Sequence, residues 1–148
     1  MCGAHATVRG LLGELVARSP TERDVIVDME AGLEHLSRGT GRHVSRFLAV
    51  VEPYYRSMET ARRIAELARE LGIGAVHAVA NKVRDEGDRA AIREFCAAHG
   101  LALIGEVPYD PTLADAERAA TPPIEYAPSA PSVAAVSELA RTLLAEAA

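Results

Sequence analysis

Three polar strand ends are the chemically informative features of this sequence. The apolar segment 24–28 closes on the carboxylate of Asp28, and a glycine turn at Gly32 follows. Two further apolar segments end on Asn81-Lys82 and on Pro108-Tyr109-Asp110. In open α/β sheets, ligands bind outside the carboxyl ends of the parallel strands. We therefore expect these residues to share one rim and to face a ligand or a metal ion.

The first strand end has the chemistry of a magnesium and phosphate site. A carboxylate such as Asp28 can hold the water shell of Mg²⁺, which keeps several waters and takes few protein ligands. Gly32 would let its backbone amide approach a terminal phosphate, where a side chain would clash. The alternative is that Asp28 only caps the next turn. Nearby, Glu30, Glu34 and His35 could orient water or bind a metal, or they could form a solvated helix start.

The other two strand ends have the chemistry of a site for a purine base. The amide of Asn81 offers both a donor and an acceptor to the edge of a base. The alkyl stem of Lys82 could lie along the flat base. Pro108, Tyr109 and Asp110 can present backbone groups to the same base, although a proline at this place could simply terminate a strand.

Composition excludes several classes of function. The chain has 148 residues, 49% of them hydrophobic, with a formal charge of -5 and a pI of about 5.5. No basic run is present, so we expect no nucleic-acid partner. No apolar run approaches the ~20 residues of a bilayer span, so we expect no membrane partner. Cys2 and Cys96 form no disulfide framework, which favours a reducing cytoplasm.

The elements that must position these residues alternate between helix and strand. Apolar spacing predicts a helix over 5–18 and strands over 24–28, 47–51, 75–80 and 101–107. Ser57 and Asp88 are expected to open the next two helices, and Gly72 and Gly100 to follow their ends. A last helix is expected from Ser132, burying Val133, Val136, Leu139, Leu143 and Leu144. This alternation predicts an α/β fold, a three-layer parallel sheet with helices on both faces.

Several motifs together resemble the MinD/ParA class of P-loop ATPases, whose relatives include the nitrogenase iron protein. Within that class the sequence is similar to the accessory ATPases that mature nickel carbon monoxide dehydrogenase. The resemblance runs from Cys2 to Leu144 and is most specific at Asp28-Met-Glu-Ala-Gly-Leu-Glu-His35 and Arg38-Gly-Thr40. Glu30 replaces the proline of the wider class. The remaining matches are Val51-Glu-Pro53, Ser57, Glu59-Thr60, Asn81-Lys82 and Val107-Pro-Tyr-Asp110.

The resemblance implies a function for each strand end. Asp28 would position Mg²⁺, Gly32 would sense the γ-phosphate of ATP, and Asn81 and the loop from Pro108 would hold adenine. It also implies a homodimer with ATP between the subunits, serving a client metalloenzyme such as carbon monoxide dehydrogenase by nickel insertion. Ni or Zn would sit at the dimer interface of a full-length protein, where Cys2 matches the last cysteine of the family's Cys-x-Cys pair.

One family motif is absent from the sequence. No Lys-Gly-Gly-x-Gly-Lys-[Ser/Thr] phosphate loop occurs, and that loop supplies the amide cradle and lysine that neutralise the phosphates. We therefore expect a single partial domain over 1–148, lacking the first strand, the P-loop and the first helix, and hydrolysing no ATP by itself. We also expect the reading frame to continue upstream of Met1, and segments 24–28 and 47–51 not to be neighbouring strands. Two alternatives stay open: a receiver-like module, and an interface protein that kept the fold and lost the nucleotide.

Overall fold

A computed structural model describes residues 24–29 and 44–145, together with positions 7, 10, 11, 13 and 14, whose backbone is helical. Three strands, β1 (Phe47–Val51), β2 (Val76–Val83) and β3 (Ala102–Pro108), form a parallel sheet in the order β1-β2-β3. The helices are α1 (Tyr55–Glu70), α2 (Glu86–Ala98), α3 (Thr112–Arg118), α4 (Pro123–Tyr126) and α5 (Pro131–Ala145). The predicted α/β class with a parallel sheet is confirmed.

Small side chains build the core between the sheet and the two crossover helices. α1 packs on β1 and β2, and α2 packs on β2 and β3. The buried cluster contains Ala49, Val51, Ala61, Ala65, Ala78, Ala80, Val83, Ile92, Cys96 and Leu101. Alanine dominates this set, so helix and strand backbones can approach closely. Cys96 is a core residue, and its burial raises the pKa of its thiol.

An irregularity in β3 lets the sheet bury its other face against α5. Ala78 pairs with Leu103, and the next β2 residue, Val79, pairs with Gly105, so one extra residue of β3 bulges between them. Leu103 consequently packs with the α1–α2 core. A Cβ at Gly105 would lie 3.0 Å from Cδ1 of Leu139 in α5. The sheet is thus the middle of three layers, with helices on both faces.

The predicted helix ends are right at the C-termini and wrong at the N-termini. Gly72 and Gly100 follow α1 and α2 with φ of 75° and 65°, the left-handed conformation that glycine tolerates. α1 begins after Tyr54, because the Ser57 hydroxyl accepts the N–H of Glu52 and does not cap the helix.

The N-terminus of α2 differs from the sequence prediction for a separate reason. Asp85 caps the helix by accepting the N–H of Asp88 at 2.9 Å. The carboxylate of Asp88 in turn accepts the N–H of Arg84 at 3.0 Å. This reciprocal arrangement resembles a capping box, in which the first and fourth residues satisfy each other's open donors. The capping residue, Asp85, therefore lies three residues before the aspartate that the sequence suggested, and the helix starts at Glu86.

The strand predicted over 24–28 is wrong for the structure as described. Residues 24–29 have no regular secondary structure, and Ile26 is 94% exposed. A strand needs a ladder partner, and β1 pairs with β2 alone among the residues that the structure describes. Segment 24–28 forms no ladder with β1 among these residues, and since it is not a strand, the expectation that 24–28 and 47–51 are strands that are not neighbours stays a prediction. Val50 of β1 is 60% exposed.

The apolar stripe of α5 is only partly covered. Leu139 and Leu143 are half-buried, but Val136 and Leu144 are exposed, contrary to the sequence prediction. The proline-rich connector before α5 contains the short helix α4, where Pro123 stands at a position that needs no N–H donor.

Candidate functional site

The carboxyl ends of β2 and β3 are joined at one rim of the sheet. The backbone N–H of Tyr109 donates to the carbonyl oxygen of Val83 at 2.8 Å. This bond brings the Asn81-Lys82 segment and the Pro108–Asp110 segment side by side, as parallel strands predict. Asn81 is half-buried and Lys82 is exposed. The shared rim expected from the sequence therefore exists for two of the three strand ends.

Lys82 has an unusual backbone conformation at the end of β2. Its φ is 57°, in the left-handed region that residues with a Cβ seldom adopt. The pairing of β2 with β3 is irregular between Ala80 and Val83, so the strand end is bulged. Bulges re-aim side chains and are frequent next to functional sites.

The side chain of Lys82 reaches across to the end of β1. Its ammonium lies 2.9 Å from Oε1 of Glu52. The hydrogen bond to Glu52, together with its charge, raises the pKa of Lys82. The lysine is therefore engaged by a carboxylate of the neighbouring strand, and its stem crosses the rim from β2 to β1.

Asp110 is held by hydrogen bonds from two helix starts. One carboxylate oxygen accepts the N–H of Thr112 at 3.0 Å, and the other accepts the hydroxyl of Ser132 at 2.9 Å and its N–H at 3.2 Å. Hydrogen bonds from Thr112 and Ser132 lower the pKa of Asp110 to about 2. The carboxylate is buried, and both of its oxygens are hydrogen-bonded within the chain. A ligand at this loop would therefore meet its backbone groups, as the sequence suggested.

Tyr109 lies on the solvent-exposed side of the rim. Its ring is half exposed, and the guanidinium carbon of Arg84 lies 4.9 Å from the ring centroid. A guanidinium over an aromatic face is a favourable cation–π arrangement. Glu52 and Arg84 are rim residues that the sequence argument did not single out for chemistry. Their positions directly after β1 and β2 are the signal that could have found them.

The predicted magnesium and metal groups lie on an irregular segment or outside the described residues. Asp28 is exposed on the irregular segment 24–29. Gly32, Cys2 and the acidic cluster around Glu30 fall outside the described residues. Within the described part of the chain, no group of three His, Cys, Asp or Glu side chains could hold a metal ion. In the same part, no helix has the length and apolar character that a membrane span requires.

Sequence relatives identify the kind of protein. The chain is 38% identical over 119 residues to the carbon monoxide dehydrogenase accessory protein CooC of Rhodospirillum rubrum, and 40% identical over 111 residues to an ATP-binding protein of Methanocaldococcus jannaschii. The chain belongs to the CooC-type, MinD/ParA-like family. The match to CooC covers 80% of this chain and 44% of CooC, and the second match covers 74% and 42%. This CooC-type chain thus spans about half the length of the curated relatives it matches.

Solved structures agree on the fold of the CooC-type chain. The MinD cell division protein of Aquifex aeolicus superimposes with a TM-score of 0.76 at 20% identity, covering 95% of this chain and 61% of MinD. MinD of Pyrococcus horikoshii, solved with Mg-ADP, gives 0.75 at 17% identity, covering 94% and 56%. No protein-family model matches the sequence. The P-loop NTPase-like fold is therefore shown, together with its relation to ATP-binding proteins.

Proposed function

We propose that the rim formed by β2 and β3 holds the adenine base of ATP. The hydrogen bond from Tyr109 to Val83 carries this proposal, because it places Asn81 beside the Pro108–Asp110 loop. An asparagine amide can pair with N6 and N7 of adenine, donating to one and accepting from the other. The similarity to ATP-binding proteins supports the same ligand.

Mg²⁺ is the second proposed cofactor. The exposed carboxylate of Asp28 has room for the water shell of the ion. Gly32 would approach the terminal phosphate through its backbone amide. The sequence contains no phosphate loop, so we propose that the chain by itself binds ATP weakly and does not hydrolyse it.

The wider role we propose is the one that the similarity to CooC supports. The chain, a single partial domain over 1–148, would belong to a metallocentre-maturation ATPase of the cytoplasm. That ATPase would act as a homodimer and support nickel insertion into carbon monoxide dehydrogenase. Cys2 is the proposed thiolate for Ni or Zn at the dimer interface. Four thiolates from two Cys-x-Cys pairs would give the tetrahedral site that Zn²⁺ accepts.

Adenosine titration tests the base site. Asn81 is the only Asn, and the sequence has no Gln, so one side-chain amide signal in an ¹⁵N NMR spectrum reports on the site directly. Adenosine should shift this signal. Asn81→Ala should abolish binding while leaving the fold intact, which is followed at the backbone amide of Tyr109 because the variant has no side-chain amide. Arg141→Ala, on the exposed surface of α5, serves as the control and should bind like the wild type. A wild-type spectrum unchanged by adenosine would reject the base site and favour a non-catalytic interaction module.

A further inference from the structure

We propose that Lys82 and Glu52 are positioning residues whose ion pair fixes the β2 bulge and thereby the place of Asn81. The inference rests on the proposed function, since Asn81 is taken to contact the base. A contact between the Lys82 stem and the base, which the sequence also suggested, is not needed for this role. The role of Lys82 is to hold the backbone of its neighbour.

The geometry of the bulge shows why it needs support. Ala80 pairs with Glu106 and Val83 pairs with Pro108, so Asn81 and Lys82 together oppose a single residue of β3. The extra residue is accommodated by the left-handed conformation of Lys82. That conformation brings Cβ too close to the following carbonyl, which disfavours it for any residue except glycine. A lysine remains there only where surrounding contacts select that conformation.

Two hydrogen bonds hold the bulge, one on the side of each neighbouring strand. On the β3 side, Val83, the residue after the bulge, accepts the N–H of Tyr109 at 2.8 Å. On the β1 side, the ammonium of Lys82 binds Glu52 at 2.9 Å. Glu52 is itself fixed, because its backbone N–H donates to the Ser57 hydroxyl at 2.9 Å and its side chain is only 25% exposed. The bulge is therefore tied to both neighbouring strand ends.

The ion pair acts on conformation more than on overall stability. An exposed lysine–carboxylate pair contributes little free energy in water. The free-energy difference between two backbone conformations of one residue is of a similar size, so the pair can still select one of them. Loss of the pair should consequently release Asn81 and weaken base binding, while the fold of the three-stranded sheet persists.

Three substitutions distinguish the effect of the Lys82 backbone conformation from the effect of its charge. Lys82→Gly keeps the left-handed conformation accessible and removes the side chain. Lys82→Val removes the charge and disfavours the conformation, because a β-branched residue is an outlier there. Glu52→Gln keeps the shape and removes the partner charge. Glu138→Gln breaks an exposed ion pair with Arg141 on α5 and is the matched control.

The readouts are the adenosine affinity at the Asn81 amide and the signal of the lysine ammonium. Lys82 is the only lysine of the chain, so selective labelling gives one side-chain signal. We expect Lys82→Val to weaken adenosine binding about tenfold, which corresponds to the cost of a left-handed residue. Lys82→Gly should bind adenosine more tightly than Lys82→Val, because glycine adopts the left-handed conformation without strain. Glu52→Gln should shift the Asn81 amide, weaken adenosine binding and lower the pKa of Lys82.

The outcomes distinguish this inference from the proposed function. Wild-type protein that does not respond to adenosine would overturn both. Wild-type protein that binds adenosine, with Lys82→Val and Lys82→Gly binding equally well, would overturn the positioning role alone. Should Lys82→Val fail to fold, Glu52→Gln decides the matter. An unchanged Asn81 amide and unchanged adenosine affinity in that variant would reject the inference.

Discussion

The carboxylate of Asp110 accepts both the hydroxyl and the backbone N–H of Ser132, 22 residues further along the chain. Ser132 is the second residue of α5 and is almost fully buried. The two bonds attach the start of α5 to the loop that follows β3. The same loop lies beside Asn81. The position of α5 and the shape of the rim therefore both depend on the carboxylate of Asp110.

Ser132→Ala tests this attachment. The substitution leaves a buried carboxylate oxygen with one hydrogen bond fewer, so we expect a loss of about 1–3 kcal/mol in the free energy of unfolding. Urea denaturation measures it. Ser137→Ala is the control, because the Ser137 hydroxyl donates to the carbonyl oxygen of Val133 within α5 itself. The control should change stability by less than about 0.5 kcal/mol, and an equal effect of both variants would contradict the assignment.

The lowered pKa of Asp110 predicts acid sensitivity. Hydrogen bonds from Thr112 and Ser132 lower the pKa from 3.8 to about 2, so between these values the unfolded chain binds more protons than the folded one. The contribution to stability is thus present above pH 3.8 and is lost as the pH falls towards 2. Melting temperatures should fall more steeply in this range for the wild type than for Asp110→Asn. Parallel curves would show that Asp110 is not the responsible group.

Gly105→Ala tests the contact between β3 and α5. The new Cβ would lie 3.0 Å from Cδ1 of Leu139, so the leucine or the helix must shift, at a cost of about 1 kcal/mol. Gly74→Ala is the matched control, because nothing lies within 4 Å of its added Cβ. A chemical denaturation series should separate the two variants. Equal stability would mean that α5 is not packed closely on β3.

Glu106→Gln tests how α2 is held to the sheet. Both oxygens of Glu106 bind the guanidinium of Arg89, at 2.7 and 2.8 Å, and hydrogen bonding to Arg89 lowers the pKa of Glu106. A bidentate, partly buried pair exceeds a single exposed one in strength. We expect a melting temperature a few degrees lower than the wild type. The exposed Glu138→Gln variant should melt close to the wild type, and the reverse order would contradict this argument.

Local chemistry predicted the regular parts of this molecule well. Glycine after α1 and α2 and the apolar strands 47–51 and 75–80 follow from periodicity and residue type. The segment 24–28 has the same strand pattern, yet it pairs with no described strand, because ladder formation depends on a partner that periodicity does not reveal. Helix starts also differed, since Ser57 and Asp88 each had a competing hydrogen-bond partner.

The rim was predictable in outline and not in detail. Strand ends placed Asn81 and the Pro108–Asp110 segment together because parallel strands share an edge. The Glu52–Lys82 pair was not predictable, since it depends on the bulge and on the left-handed backbone of one lysine. Nor was Ser132, which reaches Asp110 only through the path of α3 and α4.

ATP titration followed at the Asn81 side-chain amide tests the central claim most directly. We predict that ATP shifts this signal with a dissociation constant in the millimolar range, about -4 kcal/mol of binding free energy. Omitting Mg²⁺ should change the affinity little, because the sequence has no phosphate loop. Adenosine should produce a similar shift. The Asn81→Ala variant has no side-chain amide, so it is followed at the backbone amide of Tyr109, which ATP should shift in the wild type and leave unmoved in the variant. An amide signal that ATP leaves unmoved, or tight binding that requires Mg²⁺, would contradict the account.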